Sequence, residues 1–81
     1  MSRAFNVQYF AILRDQAGRR DEVVQTTAQM ADQLYEELRA KYRFTLPKDS
    51  LRVAINQTFA EWGAALNEGD SVVFIPPVAG G

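Results

Sequence analysis

The sequence holds 81 residues, 47% of them hydrophobic and 23% charged, the ordinary composition of one globular domain with a modest core. Nine basic residues against ten acidic give a net charge of -1, without the basic excess that nucleic-acid phosphates demand of a main partner. There is no cysteine and no histidine, which excludes disulfides, side-chain thiol chemistry, histidine triads and zinc sites built on those ligands.

A metal site made of carboxylates alone has two candidates on paper, Asp21-Glu22 and Glu36-Glu37, but adjacent acids of this kind read as solvated faces. No stretch approaches the ~18 apolar residues of a membrane span. The N-terminus carries no signal-peptide pattern, so a cytoplasmic location and no membrane contact are expected. Arg14, Arg19 and Arg20 form a local basic cluster suited to an acidic partner surface.

The alternation from Phe5 to Leu13 predicts a strand. Phe5, Val7, Tyr9 and Ala11 fall on one face; Asn6, Gln8, Phe10 and Ile12 fall on the other. That second face starts polar and turns apolar at Phe10. A large aromatic opposite the core is either covered by a neighbouring loop or part of a docking surface. Arg14 to Arg20 reads as a loop, with Gly18 at a positive-φ turn position. Asp21 to Thr26 reads as a second strand, antiparallel to the first and joined to it by a short turn.

Thr26 or Thr27 then caps a helix, and Thr26 with Gln29 fits the capping-box spacing. Met30, Leu34 and Leu38 recur at i, i+4 and i+8, flanked by Ala31, Tyr35 and Tyr42. Such a stripe is core rather than a cofactor box. Arg39 and Lys41 fall in the last turns, where the helix dipole favours them. Phe44 to Ser50, with Pro47, is a loop.

Leu51 to Ile55 is a strand with Leu51, Val53 and Ile55 inward, Asn56-Gln57 a turn, and Thr58 to Trp62 a short strand. Asn67-Glu68-Gly69-Asp70 is a strong turn signal, and Ser71 to Ile75 is the last strand. The order is ββαββ with a final strand feeding the tail: an α+β fold in which one helix covers one face of a mixed sheet. The other face is left to Phe10, Ile12, Ala54, Val73 and Ile75, a patch with the character of a partner site.

The chain ends Ile75-Pro76-Pro77-Val78-Ala79-Gly80-Gly81. No side chain in that run is a nucleophile, a base or a metal ligand; its one reactive group is the α-carboxylate of Gly81. Pro76 and Pro77 lock φ and hold the base extended, while Gly80 and Gly81, without Cβ atoms, suit a narrow passage. Four residues beyond the prolines reach about 13 Å at about 3.3 Å each. The expected division is a domain over 1–76 and a C-terminal tail over 77–81, suited to delivery into another protein.

Tyr9-Phe10-Ala11, the Gly18 loop, Ala54-Ile55-Asn56-Gln57, Asn67-Glu68-Gly69-Asp70 and above all Phe74 to Gly81 resemble the small, sulfur-carrier subunits of molybdopterin synthase. The likeness spans essentially the whole chain. It implies the ubiquitin-like β-grasp fold, in agreement with the order read above. It also implies that a ubiquitin-activating-like enzyme uses ATP to adenylate the Gly81 carboxylate, and that a persulfide then supplies sulfur to leave a thiocarboxylate. The tail next enters the large synthase subunit and gives its sulfur to cyclic pyranopterin monophosphate. By the same resemblance Phe10 and Ile75 dock the large subunit, and Arg14 matches an arginine near the activating-enzyme contact. Ala79 stands where relatives often carry Ser or Thr.

No cofactor is expected to be held permanently, ATP being used by the activating enzyme. The catalytic groups belong to the partners, so this chain is expected to be a carrier rather than an enzyme by itself; it lacks a convergent set of titratable groups. A thiazole-pathway sulfur carrier or a ubiquitin-like modifier would share the fold and the Gly-Gly end. A plain β-grasp interaction module would keep its function after loss of Gly80-Gly81.

Overall fold

The computed structural model describes residues 2–77. Five strands form one mixed sheet: β1 (Arg3–Tyr9), β2 (Asp21–Thr26), β3 (Arg52–Ile55), β4 (Thr58–Ala60) and β5 (Ser71–Ile75). Their spatial order is β2-β1-β5-β3-β4, with β1 and β5 parallel and the other neighbours antiparallel. The helix α2 (Ala31–Tyr42) covers one face, and a shorter helix, α1 (Ala11–Ala17), joins β1 to β2. Phe5, Val7, Tyr9, Val53, Val72 and Phe74 point from the sheet into the core, where they meet Leu34, Tyr35 and Leu38 of α2.

α1 corrects the expected opening hairpin. β1 stops at Tyr9 instead of running to Leu13, and Arg14 to Arg20 is mostly helix rather than loop. Tyr9 to Leu13 is a short apolar run that fits period two and period 3.6 equally well. Burial decides: Leu13 and Ala17, four apart, both enter the core. The chain switches direction at Ala11, whose φ is 51°, and leaves the helix at Gly18, whose φ is 74°. The Gly18 N–H donates to the Arg14 carbonyl at 2.9 Å, a left-handed cap of the kind glycine supplies without strain.

The start of α2 is a second correction. The helix begins after Met30, whose side chain makes no cap, rather than after Thr26 or Thr27. Thr26 instead accepts the Ala28 N–H at 3.0 Å and donates to Glu37 Oε1 at 2.6 Å. The first amides of α2 find tertiary acceptors: Ala31 N–H on the Ala64 carbonyl at 3.1 Å and Asp32 N–H on the Trp62 carbonyl at 2.9 Å. Those carbonyls do the work of a local cap, so the capping-box pattern loses its purpose. Trp62, expected in β4, lies beyond that strand and stacks on Phe74 at 5.9 Å between ring centroids.

The β3–β4 turn has both central residues left-handed, Asn56 at φ 52° and Gln57 at φ 71°, the geometry that matches strand twist in a two-residue hairpin. Asn tolerates that region and is further held here: its Nδ2 donates to Asp70 Oδ1 at 2.9 Å, and its Oδ1 accepts the Ser71 N–H at 3.0 Å. Gln57 has no such reason to be there. Gln57→Gly should raise stability by about 0.5–1 kcal/mol, read from the urea midpoint at unchanged slope; an unchanged or lowered midpoint would show the turn unstrained.

Candidate docking face and tail root

The last registered pair of the parallel ladder is Tyr9 opposite Phe74. Both are fully buried, so the next residue of each chain, Phe10 and Ile75, emerges on the other side of the sheet. Phe10 is 42% exposed, which removes the alternative in which a loop covers it. Ile75 is half-buried. Cross-strand register extends the row along the same face: Val73 lies opposite Ala54, and Ala54 opposite Phe59. Ala54 is itself almost covered, and Ile12, expected on this face, lies instead on α1, where it is exposed.

Phe59 is the main member that sequence reasoning missed. It is 61% exposed, and the Arg52 guanidinium lies 4.5 Å from its ring centroid. The alternation Phe59/Ala60 was visible, but only the Ala54 register places Phe59 on the open face rather than over the core. Arg52 is in turn registered with Ile75. Between them runs a groove of about 370 Å³ bounded by Leu51, Phe59, Ile75, Pro76 and Pro77. The two prolines follow the end of the central strand β5, Pro76 half-buried and Pro77 exposed. Val78, Ala79, Gly80 and Gly81 lie outside the described residues.

Arg14 is exposed on α1, and its N–H reaches the Phe10 carbonyl at 3.4 Å. The structure thus gathers Phe10, Ile75, Arg14, Pro76 and Pro77 at one end of the sheet, the end from which the chain leaves β5.

The expected solvated pair Asp21-Glu22 divides. Asp21 is exposed, but Glu22 is mostly buried and accepts hydrogen bonds from Tyr9 Oη at 2.6 Å and Tyr42 Oη at 2.5 Å, with Arg19 Nη1 at 3.0 Å from its other oxygen. Burial opposes the Glu22 charge, but the two phenol hydrogen bonds with Lys41 and Arg19 outweigh it and hold the carboxyl below its usual range. Burial, then Glu22 itself, pushes the Tyr9 and Tyr42 phenols up.

A depressed carboxyl contributes stability above the unfolded-state value, about 4.5, and loses it as pH falls through the lower folded-state value. Glu22→Gln should therefore destabilise by about 1–2 kcal/mol at pH 7, by weakening charge-assisted hydrogen bonds. The gap should close in urea titrations below that window; a gap independent of pH would assign the loss to shape rather than charge.

Among the described residues no group of three acidic side chains gathers as a metal site, and no helix is long and apolar enough to cross a membrane. The model of the ThiS family matches residues 7–81. The chain belongs to the ThiS family. This ThiS-family chain is 35% identical over 79 residues to the molybdopterin synthase sulfur carrier subunit of Haemophilus influenzae, covering 94% of this chain and 98% of that one. It is 36% identical over 80 residues to the Mycobacterium tuberculosis protein of the same name, covering 94% and 95%. Among solved structures it is similar to a candidate molybdopterin converting factor subunit 1 from Pyrococcus furiosus, with TM-score 0.77, 28% identity and coverage of 95% and 100%. The ThiS-family chain thus has the expected ubiquitin-like β-grasp, with α1 added to the one helix read from sequence.

Proposed function

We propose that this chain is the sulfur-carrier subunit of a molybdopterin synthase. The near-full-length similarity to two relatives of that name carries the reading. The exposed apolar row beside the tail root supports it, because a carrier must be gripped by its body while its end enters another protein.

A carboxylate is a poor electrophile until its oxygen becomes a good leaving group. Adenylation of Gly81 by an ATP-using activating enzyme supplies that group and releases pyrophosphate. A persulfide then attacks the acyl carbon and expels AMP, and a thiol reductant cleaves the resulting acyl disulfide, itself becoming a disulfide. The thiocarboxylate formed is ionised and nucleophilic at neutral pH, so the chain needs no cysteine of its own. Docked on the large subunit through Phe10 and Ile75, to which we add Phe59, the tail Pro76 to Gly81 delivers that sulfur to cyclic pyranopterin monophosphate. The chain itself is non-catalytic, and no permanently held cofactor enters the scheme. A cytoplasmic site fits its supply of ATP.

The test is intact mass after co-expression with the activating enzyme and a sulfur donor. An oxygen-to-sulfur exchange at the terminus is expected; an unaltered terminus under conditions that charge a relative would end the proposal. Replacing Gly80 with Trp should leave the fold intact but block entry of the tail into its partners, so that product falls to background; normal turnover of that variant would show the passage to be wide.

A further inference from the structure

The charges of this chain are unevenly placed. Segments 10–22 and 41–52 hold seven of the nine cations but only four of the ten acids, a formal +3 against -4 for the remainder. The fold brings both segments to the end from which the tail departs. Tyr9, paired with Phe74 one residue before Ile75, donates its backbone N–H to the Arg20 carbonyl at 2.8 Å. Tyr42, at the end of α2, packs against Tyr9 with ring centroids 6.0 Å apart. Gln16 of α1 donates to Thr45 Oγ1 at 2.9 Å, tying the α1 end to the loop after α2.

Arg14, Arg19, Arg20, Lys41 and Arg43 are all exposed there. Arg19 is engaged with Glu22, and Lys41 lies over the Tyr42 ring at 5.1 Å. Among the described residues Arg14, Arg20, Lys41 and Arg43 make no ion pair within 4.0 Å. Of the four acids in these segments, Glu22 is committed to Arg19 and two phenols, and the exposed Asp15, Asp21 and Asp49 are already counted in the formal +3. This end presents a positive field around the tail root on a protein whose other parts are negative.

We infer that this end is an electrostatic docking surface for an acidic protein surface on the activating enzyme, set beside the cleft that receives the tail. The inference rests on the carrier reading above and extends it from Arg14 to Arg20, Lys41 and Arg43. A carrier meets its activating enzyme briefly and must leave for a second partner. Exposed charge serves that need: it raises the association rate and aims the positive end first, while adding little residence time. An acidic partner surface is the chemistry that fits; a nucleic acid would be repelled by the remaining negative surface.

The experiment compares association rates of wild type and the triple variant R20E/K41E/R43E with the purified activating enzyme of the same organism, by stopped flow across a series of salt concentrations. Wild type should slow steeply as salt rises. The variant should associate at least about tenfold more slowly at low salt and lose most of that salt dependence. Glu61→Lys, a charge reversal of the exposed Glu61 in the negative remainder, should change the rate less than about twofold. Matching thermal unfolding of the variants would establish that folding is not the cause.

Equal, salt-insensitive rates for wild type and triple variant would overturn the inference, as would a Glu61→Lys effect as large as the triple's. The carrier reading is judged separately, by the terminal mass of wild type after incubation with ATP and sulfur donor. Charged wild type with salt-insensitive association leaves the carrier standing and removes only the steering surface.

Discussion

Deleting Gly81 should abolish sulfur transfer completely, because the only group proposed to be activated is the carboxylate at that position. The deletion leaves a carboxylate on Gly80, but one residue, about 3.3 Å, short of its place. A shortfall of that size removes the reacting atom from attack distance in both partners' sites. The domain should be indifferent: among the described residues the core side chains run from Phe5 to Phe74, all upstream of the deletion. Thermal unfolding and complex formation with the large subunit should match wild type while product formation falls to background. Unaltered product would remove the terminus from the mechanism and favour an interaction module.

The second large effect separates two phenylalanines. Phe74→Ala should cost about 3–5 kcal/mol, the usual range for emptying an aromatic site in a core. Phe74 has no exposure, sits on the central strand β5, and packs against Tyr35 at 5.1 Å and Trp62 at 5.9 Å between ring centroids. Against a typical stability of about 5–15 kcal/mol, with small domains toward the lower end, that loss leaves the fold marginal. Phe10→Ala should cost the isolated domain less than about 1 kcal/mol, since much of its ring is already in water. The same change should weaken the large-subunit complex by about 2 kcal/mol or more, as loss of a buried interface aromatic does. Urea denaturation and calorimetric titration of both variants read the contrast. A Phe10→Ala protein that unfolds like Phe74→Ala would place Phe10 in the core and dissolve the docking face.

Much of this architecture was legible beforehand because local signals and tertiary fate agreed. β2, β3, β5 and the body of α2 sit within a residue or two of their expected limits in the middle of the chain, where periodicity is unambiguous. The turns at Gly18, Asn56-Gln57 and Gly69 also fall where expected, and all four residues have positive φ. Disagreement appears where a local pattern admitted two answers or a distant group changed the balance. Tyr9 to Leu13 could be strand or helix, and the core's demand for Leu13 and Ala17 chose helix. Thr26 could cap, but the carbonyls of Trp62 and Ala64 reached the helix start first.

The candidate site divides in the same way. Phe10 and Ile75 were found because an apolar side chain opposite a core face is visible as broken alternation. Phe59 was not, because a three-residue strand has too few positions to show which face is which. Glu22 looked solvated beside Asp21, and only the approach of Tyr42 from the end of α2 shows it held between two phenols.

From sequence alone came the lack of cysteine and histidine chemistry, the expectation that Pro76 to Gly81 serves as a tail, and the order of strands around a covering helix. Those follow from residue chemistry and short-range periodicity, which need no knowledge of distant neighbours. Tertiary structure alone decided that β1 and β5 run side by side, that Phe59 joins Phe10 and Ile75 on the open face, and that the cations of two separate segments surround the tail root. Each depends on which distant segments pair, and pairing is settled by the burial of the whole core rather than by any local run of residues.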